Sequence, residues 1–184
     1  GNIGGDNSHE FHVLAQSGED TIAYSDTGTY AANLERAAAL TPEPAPLGAE
    51  TMSRVDTPNA KTIDTVAAQL GLSTSQNVKT LIVEGEEDDA LIAIILRGDH
   101  ELNEIKAARL PGVASPLTFA AEERIPMVMG ANVGSLGPVD CNIPFYVDAS
   151  AASVADFVCG ANEDGVHFRG VNWQRDVALL PEQI

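Results

Sequence analysis

Two cysteines in 184 residues, Cys141 and Cys159, with no Cys-x-x-Cys pair, leave no disulfide framework or thiolate metal cluster to infer. A reducing, cytoplasmic setting fits that scarcity. Basic side chains are also few: 10 Lys and Arg stand against 27 Asp and Glu, a net charge of -17. Such a chain repels phosphate backbones at long range, so any RNA contact must be local. No segment approaches the roughly 18 to 20 apolar residues that span a bilayer, and no basic region leads into an apolar run at the N-terminus. The expectation is a soluble, unprocessed protein with no membrane partner, and its start at Gly1 suggests a piece excised from something larger. There is no internal repeat and no low-complexity segment. With 44% hydrophobic residues, the chain can still bury one good core with a small element beside it.

The local patterns interleave strands and helices without the regular β-α-β spacing of a nucleotide-binding sheet. Two alternating stretches, 11–15 and 21–24, flank Ser17-Gly18-Glu19-Asp20 and read as a hairpin. Residues 30–40 are alanine-rich helix formers. Prolines 42, 44 and 46 then favour an extended connector, where we place a domain boundary. Thr57-Pro58 reads as a hydroxyl N-cap with proline at the first helical position, opening an amphipathic helix through Ile63, Val66, Ala67 and Leu70 to Gly71. The β-branched runs 78–83 and 91–96 describe a strand pair around the acidic loop 84–89. Helices are expected over 102–110 and 119–124, strands at 144–148 and 166–171, and a short helical turn over 154–158. The fold class is α+β with a mixed sheet.

Four places carry candidate chemistry. Lys79, one of only three lysines, begins an otherwise apolar strand. From spacing it is a strand-end lysine whose head reaches solvent, or a partly buried ammonium facing a phosphate or an oxyanion. Arg97-Gly98-Asp99 ends a strand where a helix opens on Asp99 or its neighbours, and Arg97, Lys106 and Arg109 form the densest basic group. Gly134-Ser135-Leu136-Gly137-Pro138 allows backbone N–H groups to approach a ligand closely, or is a wide turn; without a Lys-Ser/Thr ending it is not a phosphate loop. Asp148 at a strand end and His167 could orient a substrate amine or a water, although a single histidine on a strand is usually structural. His9-Glu10-Phe11-His12 has the wrong spacing for a zinc helix, so no metal site is expected. Cys159 reads as a small core residue.

Taken in order, these segments resemble the editing (insertion) domain of bacterial-type prolyl-tRNA synthetases, related to free-standing YbaK-like aminoacyl-tRNA deacylases. Ser8-His9-Glu10-Phe11, Gly18-Glu19-Asp20 and Tyr30-Ala31-Ala32-Asn33 resemble the catalytic-domain stretch leading into the insertion. Val55-Asp56-Thr57-Pro58, Val78-Lys79-Thr80, Arg97-Gly98-Asp99 and Gly134 through Pro138 resemble the editing domain. Gly160-Ala161-Asn162, His167 and Asn172-Trp173 resemble the return into the synthetase. The resemblance implies a barrel-like mixed sheet surrounded by helices, with residues 1–46 flanking, 47–170 editing and 171–184 returning.

It further implies hydrolysis of alanine wrongly attached to tRNA(Pro), by water and without a protein nucleophile, because a synthetic site built for proline excludes the smaller alanine too weakly. Lys79 and Gly134, the latter the first glycine of a Gly-x-x-x-Pro loop, would be the catalytic positions. Thr57, Ser135, Arg97, Asp148 and His167 would bind substrate, with His167 setting the room left for the alanyl side. Editing would need no cofactor, whereas the parent synthetase would use ATP and Mg. Partners would be the tRNA(Pro) acceptor end and the rest of a homodimeric synthetase. The alternatives are a free-standing deacylase of cysteinyl- or seryl-tRNA, a non-catalytic tRNA-docking module, and a carboxylate cation site in the 84–89 loop.

Overall fold

The computed structural model describes residues 21–40, 42–43 and 48–178. The chain divides into two units, residues 1–39 and 40–184. In the first, β1 (Ile22–Tyr24) pairs antiparallel with β2 (Ala31–Asn33), Ile22 opposite Asn33. The expected hairpin partner 11–15 lies outside the described residues. The expected helix over 30–40 is instead β2 followed by a turn at residues 34–36. Alanine's helix preference is worth less than about 1 kcal/mol per residue, and strand pairing overrides it.

The second unit holds two three-stranded sheets. One is ordered β3 (Ser53–Asp56), β8 (Val166–Val171), β7 (Phe157–Gly160), all antiparallel. The other is ordered β4 (Val78–Glu84), β5 (Leu91–Arg97), β6 (Phe145–Val147), with β4–β5 antiparallel and β5–β6 parallel. A parallel bridge between Asn77 and Val158 ties β4 to β7, so the sheets meet along one edge. This is the expected α+β class with mixed strand directions. The helices among the described residues are few and short: α1 (Ile63–Leu70), α2 (Glu104–Ala107), α3 (Ile125–Met129) and α4 (Ala149–Ala152).

β5 is central and covered on both faces, which explains its unbroken apolar run. Ile92, Ile94 and Leu96 face one cluster with Val83, Ala107 and Val113. Leu91 and Ala93 face Ile82, Ile125 and Leu136, and Ile95 joins Val78, Phe157 and Trp173. The Phe157 and Trp173 rings lie 4.7 Å apart, and the indole N–H donates to the Ala151 carbonyl at 2.9 Å.

Several boundaries differ from expectation for local reasons. Helix α1 starts at Ile63 under a Thr62 cap whose hydroxyl accepts from Thr65 N, because Asn59 at φ 63° breaks any helix begun at Thr57. It ends as expected at Gly71, φ 66°. Asn103, not Asp99, caps α2, accepting from Lys106 N at 3.1 Å. The helix expected over 119–124 begins only at Ile125, since Phe119 is held in a bridge to Val83. The helical turn expected at 154–158 comes earlier, as α4, where Asp148 accepts from Ser150 N at 2.9 Å, and 157 already enters β7.

Candidate active site

A cavity of about 150 Å3 opens where β4, the start of α1, the loop 132–139 and the ends of β7 and β8 converge. Lys79, Gly134 and His167 all line it. Three elements far apart in sequence thus bring together three of the residues singled out above.

His167 sits in the middle strand β8, opposite Val55 on β3 and Gly160 on β7, and is only 4% exposed. Its Nδ1 lies 2.6 Å from the hydroxyl of Thr57, which is fully buried. Burial pushes the histidine below its usual range, opposed by a hydrogen bond with the Gly134 backbone. Thr57 therefore stands behind His167 as its partner, one layer away from the cavity.

Gly134 has φ +100°, and a Cβ there would come within 2.7 Å of the Lys61 carbonyl oxygen and 2.9 Å of its Cα. Only glycine fits both the conformation and the approach. The loop around it is clamped from the β7–β8 turn. Asn162 accepts from Gly137 N at 2.9 Å and donates to the Val139 carbonyl at 2.9 Å, and Asp164 accepts from Asn132 N at 2.7 Å. Ser135 serves this clamp: its hydroxyl accepts from Gly165 N at 3.1 Å.

Lys79 is half-buried, and its ammonium donates to the Gly98 carbonyl at a long 3.4 Å. Arg97 and Asp148 do not line the cavity. Arg97 donates to Asp99 at 2.6 and 3.0 Å and lies 2.9 Å from His100 Nε2, while Asp148 caps α4. In the acidic loop, Glu84 is engaged by Arg124 at 2.9 and 2.7 Å, and among the described residues no group of three or more His, Cys, Asp or Glu could hold a metal. Cys159 lines the cavity, but burial pushes its thiol far up, so it is protonated and a poor nucleophile.

Lys61 is the cavity residue that sequence reading passed over. It follows the turn-forming run Thr57-Pro58-Asn59-Ala60, where the local pattern predicts helix, so its place at a loop rim is hidden in the sequence. Two of the chain's three lysines therefore border this one cavity.

The model of the aminoacyl-tRNA editing domain matches residues 57–177. The chain belongs to that family. The matched span runs from Thr57 to Val177 and encloses the whole cavity. Among solved structures, the editing domain is similar to a candidate trans-editing enzyme for prolyl tRNA synthetase, at 26% identity and TM-score 0.55, covering 64% of this chain and 74% of that one. It is also similar to the hypothetical protein APE2540, at 28% identity and TM-score 0.55, covering 64% and 79%. A scaffold used for epitope backbone grafting shares the fold at 24% identity and TM-score 0.54, covering 64% and 75%. As an editing domain, the protein takes aminoacyl-tRNA as substrate. Among the described residues, no helix is long and apolar enough to cross a membrane.

Proposed function

We propose that this editing domain hydrolyses alanine from mischarged tRNA(Pro), with Lys79 supplying positive charge and the Gly134 loop facing the scissile ester. The observation that carries the reading is the size and wall chemistry of the cavity. At about 150 Å3 it matches a space that admits a benzene-sized guest, enough for a small acyl group and too little for the terminal nucleoside. The nucleoside and its phosphate would lie outside, where Lys61 and Lys79 offer cations in an otherwise acidic chain.

In the reaction, a water oxygen bonds to the acyl carbon, the ester C–O bond breaks, and the ribose oxygen leaves with a proton. The ester is already activated, so positioning and charge stabilisation suffice. No Ser, Cys or Lys nucleophile is required, in keeping with the protonated Cys159. His167, held neutral by burial and fixed by Thr57 and Gly134, would form a rigid wall that limits the side chain admitted. Arg97 and Asp148, outside the cavity, would contact the tRNA end.

We read the domain as the editing part of a prolyl-tRNA synthetase. The similarity to a candidate trans-editing enzyme supports a second reading, in which it acts as a separate chain. Deacylation rates on alanyl-, cysteinyl-, seryl- and prolyl-tRNA test the substrate: the proposal expects alanyl-tRNA(Pro) to be fastest, and a faster cysteinyl or seryl ester refutes it. Adding the domain to a synthetase that lacks editing separates the two readings, because only the second expects full clearance of alanyl-tRNA in trans.

A further inference from the structure

The outer edge of β4 is sealed at both ends and open in the middle. At one end, Glu84 N donates to the Thr118 carbonyl at 2.9 Å, the Glu84 carbonyl accepts from Ala114 N at 3.0 Å, and the Ile82 carbonyl accepts from Ala120 N at 3.0 Å. At the other end, Asn77 bridges to Val158. The N–H and C=O of one strand residue point to the same side, and that side alternates along the chain. Since Ile82 and Glu84 face outward, Thr80 does too, away from its β5 neighbour Ile95. Among the described residues, nothing pairs with Thr80 on that edge, and Thr80 lines the cavity. The side chain adds an independent sign. Thr80 is 7% exposed, yet its Oγ1 is sealed with no hydrogen-bond partner among the described residues. Buried polar groups are normally satisfied, so the fold alone does not account for this position.

We propose that Thr80 anchors the aminoacyl group as a one-residue added strand. An α-aminoacyl ester carries the same donor and acceptor as a peptide residue: an amine, one carbon, then a carbonyl. Facing Thr80, its α-ammonium donates to the Thr80 carbonyl and its ester carbonyl accepts from the Thr80 N–H, the two-bond exchange of an antiparallel hydrogen-bonded pair. The second bond strengthens as the carbonyl oxygen gains negative charge during water attack, so it contributes to rate as well as binding. The class of substrate follows from this: α-aminoacyl esters with a free amine, held by their backbone atoms while the cavity limits the side chain. The inference rests on the editing reading above and deepens it.

The test keeps the protein intact and varies the acyl group. Alanyl-tRNA, lactyl-tRNA with a hydroxyl in place of the amine, and N-acetylalanyl-tRNA are compared for kcat/KM. With each rate divided by that ester's own uncatalysed hydrolysis, the proposal expects lactyl-tRNA to fall by about tenfold or more, the loss of one charge-assisted bond, and the acetylated ester to fall further. A second arm replaces residue 80 with the α-hydroxy acid of threonine, which deletes that N–H and weakens the Lys79 carbonyl on the β5 side, with the unfolding midpoint measured alongside. It should lower kcat on alanyl-tRNA by about 10- to 100-fold while KM changes little. Equal hydrolysis of alanyl and lactyl esters overturns the proposal, as does an unchanged kcat in the second arm. If the parent protein hydrolyses none of the esters, the editing reading fails and this inference falls with it; active parent with indifference to the amine sinks this inference alone.

Discussion

The Thr57 hydroxyl lies 2.6 Å from Nδ1 of His167 across two strands, with both side chains buried. The two groups share one buried hydrogen bond whose direction follows the tautomer of the ring. Thr57→Val keeps the shape and removes the hydroxyl, leaving a buried ring nitrogen unpaired. The expected cost is about 1–3 kcal/mol in urea unfolding, with Thr57→Ser much closer to the parent. A Thr57→Val protein as stable as the parent would mean the contact contributes nothing.

The same histidine makes stability pH-dependent. Burial is the main cause of its lowered pKa. The unfolded chain therefore takes up a proton at a higher pH than the folded one. The histidine's contribution to stability is complete above the ordinary value of 6.5, and it is lost as pH falls from there through the lower folded value. Thermal midpoints should drop between pH 7.5 and 5.5, and His167→Asn should flatten that part of the profile. An unaltered profile in the variant would assign the loss to other groups.

Lys79 makes one long hydrogen bond to Gly98 and is half-exposed, so the fold depends on it little. If its ammonium faces charge that develops during hydrolysis, Lys79→Ala should cut kcat on alanyl-tRNA by about 100-fold, with the unfolding midpoint nearly unchanged. Lys79→Arg should recover part of the rate, since it keeps the charge in a different geometry. Parent-like turnover by Lys79→Ala would remove the residue from the mechanism.

How far the sequence disclosed this site depended on the range of the interactions. Strands β4, β5 and β8 were readable because their apolar runs are local and both faces of β5 are covered. The start of α1 was misread because Thr57-Pro58 is a good helix opening by itself. Its hydroxyl is taken instead by His167, 110 residues away, which no local pattern contains. Lys61 was missed for the same reason. Lys79, Gly134 and His167 could each be picked out singly, but their meeting depends on the Asn77–Val158 bridge and on the Asn162 clamp. Asp148 and Arg97 enter the expected site through the family resemblance; in the fold, Asp148 Oδ1 caps α4, Arg97 pairs with Asp99, and neither lines the cavity.

Gly134 offers a sharper test of the loop than any polar residue in it. At φ +100° a side chain is strained, and a Cβ would press on the Lys61 backbone, which follows the Thr57–Ala60 turn and has no flexible end to move aside. Gly134→Ala should therefore destabilise by about 1–3 kcal/mol. It should also shift the Gly134 backbone that lines the cavity with His167, loosening the wall. Activity should fall by more than the lost stability explains, measured at a temperature where the variant is still fully folded. Ser135→Ala is the matched control. It removes a hydrogen bond to Gly165 N from the same loop without touching the backbone conformation. It should cost stability of about 1 kcal/mol while leaving kcat close to the parent. If Gly134→Ala lost no more activity than Ser135→Ala, the loop would be a scaffold whose exact course is irrelevant to hydrolysis.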